Sequence, residues 1–299
     1  GGNASYTIPL AIVSSAKGLE PQLAVQYSDG SGMGEFGYGW HLSGVSSIKR
    51  VPASVYYEGT ISPANDLGCK EVYVLDGQRL IKLGSTNTFT LENDPYVIIT
   101  VENDANGNPQ TFSLKKRDGT LYHFMNKTNL SWDISVVTNA YTNTTINYSY
   151  DHGEFENENH ISKIEYKSSS TIVGTVLFYY NKREDENYGY RNSAPIRDTR
   201  CISSIKMFSG TSTLVGDYSF KYSRADDGPT KLKQIGYKRL DMAVNNTIID
   251  WGTINYSFAE TAISTALYGN PSINDKTYTG DFNGDGISDM LFISGSKVY

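Results

Sequence analysis

The sequence predicts an all-β fold of antiparallel hairpins, and three observations carry that prediction. Tyrosine is abundant, 23 of 299 residues, in a chain otherwise rich in Thr, Ser, Asn and Gly. Aromatic and β-branched residues fit a pleated surface, and the small polar ones fit tight turns. Apolar and polar residues alternate along most of the chain, the period of a half-buried strand, while the 3.6-residue period of a helix is essentially missing. Asp-Gly pairs fall between alternating runs, where a hairpin turn needs positive φ.

Near the N-terminus, "LAVQYS" puts Leu23, Val25 and Tyr27 on one face. "EVYVLDGQRLIKL" reads as two strands around Asp76-Gly77, and "TFSLKKRDGTLYHF" as two around Asp118-Gly119. "NDANGNP" marks another turn. From residue 146 a pattern recurs. Bulky triplets appear at Ile146/Tyr148/Tyr150, Val176/Phe178/Tyr180, Tyr218/Phe220/Tyr222 and Ile254/Tyr256/Phe258. The first three are followed by Ile161/Ile164/Tyr166, Ile202/Ile205/Met207 and Leu232/Ile235/Tyr237. A fixed two-strand unit separated by loops of variable length is a hairpin repeat. One hairpin cannot bury its apolar face alone, so the units are predicted to add side by side into a long curling sheet. Tyrosines at this spacing read as packing residues. Tyr188 and Tyr190, in the long loop "NKREDENYGYRNSAPIRD", are the exceptions. The predicted organisation is an all-β region over 1–272, with hairpins over 51–140 and repeats over 141–260, and a separate unit over 273–299.

The net charge of −6 argues against a nucleic-acid partner, since the best basic run is Lys115-Lys116-Arg117 beside a turn. No apolar run approaches the ~20 residues that span a bilayer. The chain opens Gly-Gly-Asn-Ala with neither Met nor an apolar leader, so a mature or trimmed product is expected. Of the two cysteines, Cys69 and Cys201, the second shares a face with Ile205 and Met207 and reads as a buried thiol; one disulfide is the alternative.

Gly32-x-Gly34-x-x-Gly37 follows a strand, but a dinucleotide fingerprint must open a helix, and "YGWHLSGVSS" cannot be one. These glycines read as a tight positive-φ region with Phe36 and Trp40 plugging the sheet. Glu154, Glu156 and Glu158, flanked by His152 and His160, offer paired carboxylates; in a polar segment between repeat strands they read as a solvated hairpin loop. The histidines at 41, 123, 152 and 160 form no His-Glu-x-x-His pair, and there is no Gly-x-Ser-x-Gly elbow. No set of residues reaches an active site, and the expectation is a protein that is not an enzyme.

"GDFNGDGISDM" is more specific. Asp281, Asn283 and Asp285 take positions 1, 3 and 5 of a calcium loop, Gly286 the turn, the Ile287 carbonyl position 7 and Asp289 position 9. Position 12 is Phe292 rather than Glu, and both flanks read as strands, so the expectation is a structural Ca²⁺ held between strands rather than an EF-hand.

This loop resembles an FG-GAP/VCBS repeat, a blade unit of calcium-bearing β-propellers, which implies that residues from about 273 begin an incomplete propeller. The N-terminus carries a second resemblance. Ile8-Pro9-Leu10, Gly18 to Leu23, Tyr27 to Gly32, Phe36 to Gly44 and Ser46 to Arg50 are similar to the opening of the SpvB-like family, which includes the B components of insecticidal Tc toxin complexes. "LDGQRL" and "FTLEND" match later landmarks, and the repeats look like RHS/YD-type strands. The resemblance implies a shell segment that scaffolds or encloses a C-terminal effector in a secreted or surface-exposed bacterial toxin-like protein. Its implied partners are the rest of its own polypeptide or a toxin-complex subunit. A family member carries a separate ADP-ribosyltransferase needing Ser-Thr-Ser before Glu-x-Glu; here the nearest triplet is Ser85-Thr86-Asn87. The alternative reading is a cell-surface module that binds glycans or a host protein.

Overall fold

The computed structural model describes residues 4–15, 18–61, 72–128, 131–153, 155, 158–191, 194–224, 228–240, 242–252, 276–282, 289–294 and 297–298. They fall into two compact units, Gly1–Trp251 and Gly252–Tyr299. The fold is all-β and antiparallel, with a single helical turn among the described residues, α1 (Val55–Glu58), whose Ser54 side chain caps the Tyr57 N–H. Among the described residues no helix is long and apolar enough to cross a membrane.

The first unit begins with a small sheet of β1 (Ser5–Pro9), β2 (Ala24–Ser28) and β5 (Trp40–Ser43), with β3 (Met33–Gly34) and β4 (Gly37–Tyr38) paired beside it. Eight strands then close on themselves: β6 (Ser47–Arg50), β7 (Tyr73–Leu75), β8 (Gln78–Lys82), β9 (Thr88–Leu91), β10 (Asp94–Asn103), β11 (Pro109–Lys115), β12 (Thr120–Thr128) and β13 (Ser131–Asn139). Both Asp-Gly sites are the hairpins expected. Leu75 pairs Gln78 across Asp76 (φ 47°) and Gly77 (φ 84°), the two positive angles of a type I′ turn. The barrel interior is aromatic. Tyr73 meets Phe89, Phe112 and Trp132 edge-on at centroid distances of 5.6, 5.1 and 6.0 Å, the geometry ring quadrupoles favour.

Strand β13 is shared three ways. Along one edge it pairs β12; along the other, Ser131–Asp133 pair β6 and close the barrel, while Val136–Asn139 pair the next strand and let the sheet leave. From there it continues through β14 (Thr144–His152), β15 (Asn159–Ser168), β16 (Thr171–Arg191), β17 (Ala194–Ser209), β18 (Thr213–Ser223), β19 (Lys231–Arg239) and β20 (Met242–Ile248).

The repeat is real and its register constant. Ile146, Tyr148 and Tyr150 pair Tyr166, Ile164 and Ile161; Val176, Phe178 and Tyr180 pair Met207, Ile205 and Ile202; Tyr218, Phe220 and Tyr222 pair Tyr237, Ile235 and Leu232. In each unit the register shifts just before the third residue, leaving one extra residue, Ser162, Ser203 or Lys233, on the second strand. This β-bulge explains why the second strand spaces its apolar residues i, i+3, i+5 rather than by strict alternation.

One expectation changes. The segment Asn181 to Asp198 is not simply a loop, because β16 and β17 run through it and pair as far as Arg191 and Ala194. The fourth triplet, Ile254/Tyr256/Phe258, lies outside the described residues, and its place beside β19 is held by other residues. Thr247 pairs Ile235 as Val176 pairs Ile164 and Tyr218 pairs Ile205. Ile249 and Trp251 come next, at the second and third places.

In the second unit, β21 (Lys276–Gly280), β22 (Asp289–Ser294) and β23 (Lys297–Val298) form an antiparallel sheet.

Candidate functional site

The third residue of each repeat reaches back to the unit before it. Tyr150 and Tyr180 donate 2.7 Å hydrogen bonds to the carbonyls of Ile134 and Ile161, and Tyr222 donates to Ile202. Trp251 completes the series, its indole N–H donating to Leu232 at 2.8 Å. The acceptors Ile161, Ile202 and Leu232 each precede the bulge residue, where the regular ladder is interrupted. A buried carbonyl must find a partner, and the phenol supplies it. Burial pushes the Tyr150, Tyr180 and Tyr222 hydroxyls well above the usual phenol range, so they remain neutral donors.

The N-terminal segment lies over the face these triplets present. Val13 accepts from the Tyr166 hydroxyl at 2.6 Å, and the Ala11 N–H donates to the Tyr218 hydroxyl at 2.9 Å. Glu35 accepts from the Ile202 N–H, and Tyr38 donates to the Thr230 carbonyl. Phe36, fully buried, packs on Phe220 with centroids 4.6 Å apart. The expected positive-φ region is present at Gly30, Gly32, Gly37, Gly39 and Gly44. At Gly37 it is obligatory: φ is 88°, and a Cβ would collide with the Thr230 carbonyl oxygen. The strands β4 and β5, not a helix, lie downstream, so the glycines hold a backbone crossing rather than a phosphate.

Under this strap lies a polar hub. The expectation of a solvated acidic loop fails for Glu158 and His160, both buried; Glu154 and Glu156 lie outside the described residues. Glu158 Oε1 accepts from the Thr199 N–H (2.7 Å), the Thr199 hydroxyl (2.6 Å) and His160 Nε2 (2.9 Å). Burial opposes its charge, but these donors outweigh it and hold its carboxyl at about 2. Next to it, Arg183, with no exposed side-chain surface, bonds Asp198 Oδ2 (3.1 Å), Cys201 Sγ (2.8 Å) and the Gly34 carbonyl (2.7 Å). One guanidinium thus ties β16 and β17 to the N-terminal segment. Burial raises the Asp198 carboxyl above its usual value against the pull of Arg183, and burial likewise raises the Cys201 thiol. Cys201 is the buried free thiol that its face implied; Cys69 lies outside the described residues.

The hub opens on a cleft of about 480 Å³, bounded by Ser47, Asp76 and Asp133 on the barrel side and by Asn159, Arg197 and Asp198 on the other. Glu158, His160 and Asp198 bring ligand atoms within 4.8 Å of one another. Their surroundings fit a held carboxylate better than a cation: Glu158 Oε1 already takes three donors, and Arg183 sets a positive charge against Asp198. Sequence reading missed Arg183 and Thr199. The alternation Glu158-x-His160, which puts both on one strand face, was the available signal.

Of the calcium-loop residues, Asp281 follows β21 directly and Asp289 opens β22, its backbone paired to Gly280. Asp281 is exposed at its start. Asn283, Asp285 and Ile287 lie outside the described residues, as does the side chain of Asp289.

Residues 1–55 match the family model described as "SpvB: Salmonella virulence plasmid 65kDa B protein". No curated protein sequence matches the chain. Among solved structures, the N-terminal domain of effector protein SpvB from Salmonella typhimurium strain LT2 is similar with a TM-score of 0.65 at 17% identity, over 78% of this chain and 98% of that one. The Photorhabdus luminescens Tc holotoxin pore matches with a TM-score of 0.68 at 13% identity, and a TcdB2-TccC3 crystal structure with 0.67 at 15%. The chain spans only 18% of the length of each of those two toxin chains. At these identities the likeness is one of fold.

Proposed function

We propose that this chain is a non-enzymatic structural segment of a secreted or surface-exposed bacterial toxin-like protein, a piece of shell that scaffolds or encloses a C-terminal effector. The observation that carries the reading is the continuous sheet running out of a closed barrel through bulged repeats, with the N-terminal segment bound across its face. Such a sheet supplies wall area rather than a reaction centre. Its buried polar groups are spent on holding strands together, as Arg183 and Glu158 are. The similarity of fold to SpvB and Tc toxin structures supports the same reading.

Three further parts belong to this proposal. The repeats correspond to RHS/YD-type strands, and β21–β22 to the first strands of an FG-GAP/VCBS propeller. Ca²⁺ sits in the loop formed by Asp281, Asn283, Asp285, Ile287 and Asp289 and staples those strands. The partners are the remainder of the polypeptide or another toxin-complex subunit. Protease protection tests the reading: a longer polypeptide that includes the downstream module keeps that module intact under conditions that digest it when free. Equal digestion rates would sink the enclosure role.

A second reading, a surface module for glycans or a host protein, rests on Tyr188 and Tyr190. Their hydroxyls share a 2.7 Å hydrogen bond and their rings meet edge-on at 5.4 Å, with 52% and 68% of their surface exposed on the far arm of the β16–β17 hairpin. Exposed aromatic pairs stack on sugar rings and anchor protein contacts. A glycan array with no signal at high protein concentration, unchanged in Tyr188→Ala, removes its glycan form.

A further inference from the structure

The cleft beside the hub opens at the fork where β13 leaves the barrel, between β6 on one side and β14 and β15 on the other. At about 480 Å³ it has the size of a small-molecule site, roughly 300–1,000 Å³. Its lining mixes apolar side chains, such as Val45 and Ile161, with many hydrogen-bonding groups. The Tyr150 and Tyr180 hydroxyls among them already donate to backbone carbonyls.

Two other groups on this wall lack the partners their chemistry calls for. Asn159 donates its Nδ2 to Asp133 Oδ2 at 2.6 Å. Its Oδ1 is shielded from solvent and has no hydrogen-bond partner among the described residues. A buried acceptor of that kind calls for a donor. Arg197 is positioned by ring faces: its guanidinium carbon lies 4.4 Å from the centre of the Phe155 ring and 5.2 Å from that of Tyr188. Its pairing with the Glu186 carboxylate is long, 4.0 Å. Stacking of this kind leaves the N–H edge of a guanidinium able to donate.

Arg197 also joins the cleft to the exposed pair Tyr188 and Tyr190, because it lines the one and stacks on the other. Tyr188 pairs Arg197 across the ladder and Tyr190 pairs Pro195, so both rings and the guanidinium stand on one face.

We propose that the cleft and the tyrosine pair form one binding site for a neutral pyranose, whose apolar face lies on Tyr188 while its hydroxyls meet Asn159 and Arg197. A hydroxyl both donates and accepts, so one ligand serves the Asn159 oxygen and the Arg197 nitrogens together. The alternatives fit less well. An apolar ligand serves neither group. A cation meets Arg197 on the wall and Arg183 behind Asp198. An acidic ligand meets a wall on which carboxylates outnumber Lys and Arg five to two. This inference deepens the glycan form of the second reading above and rests on it.

The probes are the methyl glycosides of glucose, galactose, mannose and N-acetylglucosamine, titrated into the whole chain and followed by saturation-transfer NMR. Glucuronic acid and arginine methyl ester are the acidic and cationic controls. Saturable millimolar binding of at least one neutral glycoside is expected, with both controls weaker. Tyr188→Ala and Arg197→Ala alter exposed side chains, leave the circular dichroism spectrum unchanged and are each expected to weaken binding at least threefold. Asn159→Ala is expected to do the same, whereas Tyr141→Ala, 86% exposed beyond the other end of β13, has no effect. No saturable binding of any neutral glycoside, equal or tighter binding of either control, or indifference to both Arg197→Ala and Asn159→Ala overturns the inference. Binding that depends on Tyr188 alone, or a glycan-array signal without any in the titrations, removes the cleft and leaves the surface glycan reading standing. Silence in both measurements removes the two together.

Discussion

The Tyr180 hydroxyl donates to the Ile161 carbonyl across the boundary between two repeats, and the residue at the same place in each neighbouring repeat makes the same bond. The bond satisfies a carbonyl that the bulge interrupts. Tyr180→Phe removes the donor and leaves the ring, so it isolates the hydroxyl. Losing a partner at a buried carbonyl costs about 1–3 kcal/mol. Urea unfolding of the variant is expected to show a lower midpoint at unchanged slope, while Tyr6→Phe, at a 60% exposed residue, does not move it.

Gly37 and Gly77 separate backbone strain from collision. Both have positive φ, 88° and 84°, but only Gly37 lacks room for a Cβ. Gly77→Ala is expected to cost about 1 kcal/mol, the penalty for forcing a side chain into that conformation. Gly37→Ala pushes Thr230 away and costs distinctly more. Hydrogen exchange at the Tyr38 amide, which donates to Thr230, reads the difference: fast exchange in Gly37→Ala, near-native protection in Gly77→Ala.

Glu158 gives stability a definite acid limb. Its folded carboxyl titrates at about 2, below the ordinary 4.5, so its contribution is present above about 4.5 and is lost as pH falls toward 2. Asp198, raised by burial, acts in the opposite sense and favours folding at lower pH. In Glu158→Gln the acid limb therefore flattens or reverses between those values, and the variant is less stable at neutral pH because Thr199 and His160 lose a charged acceptor. Thermal melts at several pH values check both; parallel pH profiles for the two proteins would refute the assignment.

Cys201 is expected to be inert. It is 4% exposed, its thiol is raised by burial, and Arg183 lies against the sulfur. In a Cys69→Ser background the native chain is expected to resist a thiol reagent and to react with one equivalent in denaturant.

For the loop between β21 and β22, calorimetric titration with Ca²⁺ is expected to show one site that Asp285→Ala abolishes, with Mg²⁺ far weaker because it prefers a tighter octahedron. No heat with Ca²⁺ in the full chain would remove the ion from the proposal.

The strands and their pairing were legible because alternation is a local property. Ile146/Tyr148/Tyr150 announces a face without reference to anything else, and even the bulge was written in the i, i+3, i+5 spacing of Ile161, Ile164 and Tyr166. The fourth repeat was not legible by the same rule. Beside β19 the triplet places are held by Thr247, Ile249 and Trp251, residues of other types than those of the earlier triplets. The hub was hidden for a different reason. Arg183, Asp198 and Cys201 are brought together by the pairing of two long strands and a crossing segment from residue 34, and nothing local to any of them signals the others. Closure of the barrel was equally invisible, because it depends on one half of β13 choosing β6.

The strap sets an order in time. Its bonds join residues far apart in the chain: 207 positions separate Ala11 from Tyr218, 153 separate Val13 from Tyr166, and 149 separate Gly34 from Arg183. The barrel, by contrast, closes within a contiguous stretch from Ser47 to Asn139. During synthesis the earliest residues must therefore wait, unsatisfied, until the repeats have emerged, while the middle of the chain is already structured. Phe36 and its neighbours then act as a completion seal: they can be buried only once β18 and β19 exist, so an interrupted chain displays its own unfinished state as exposed apolar surface.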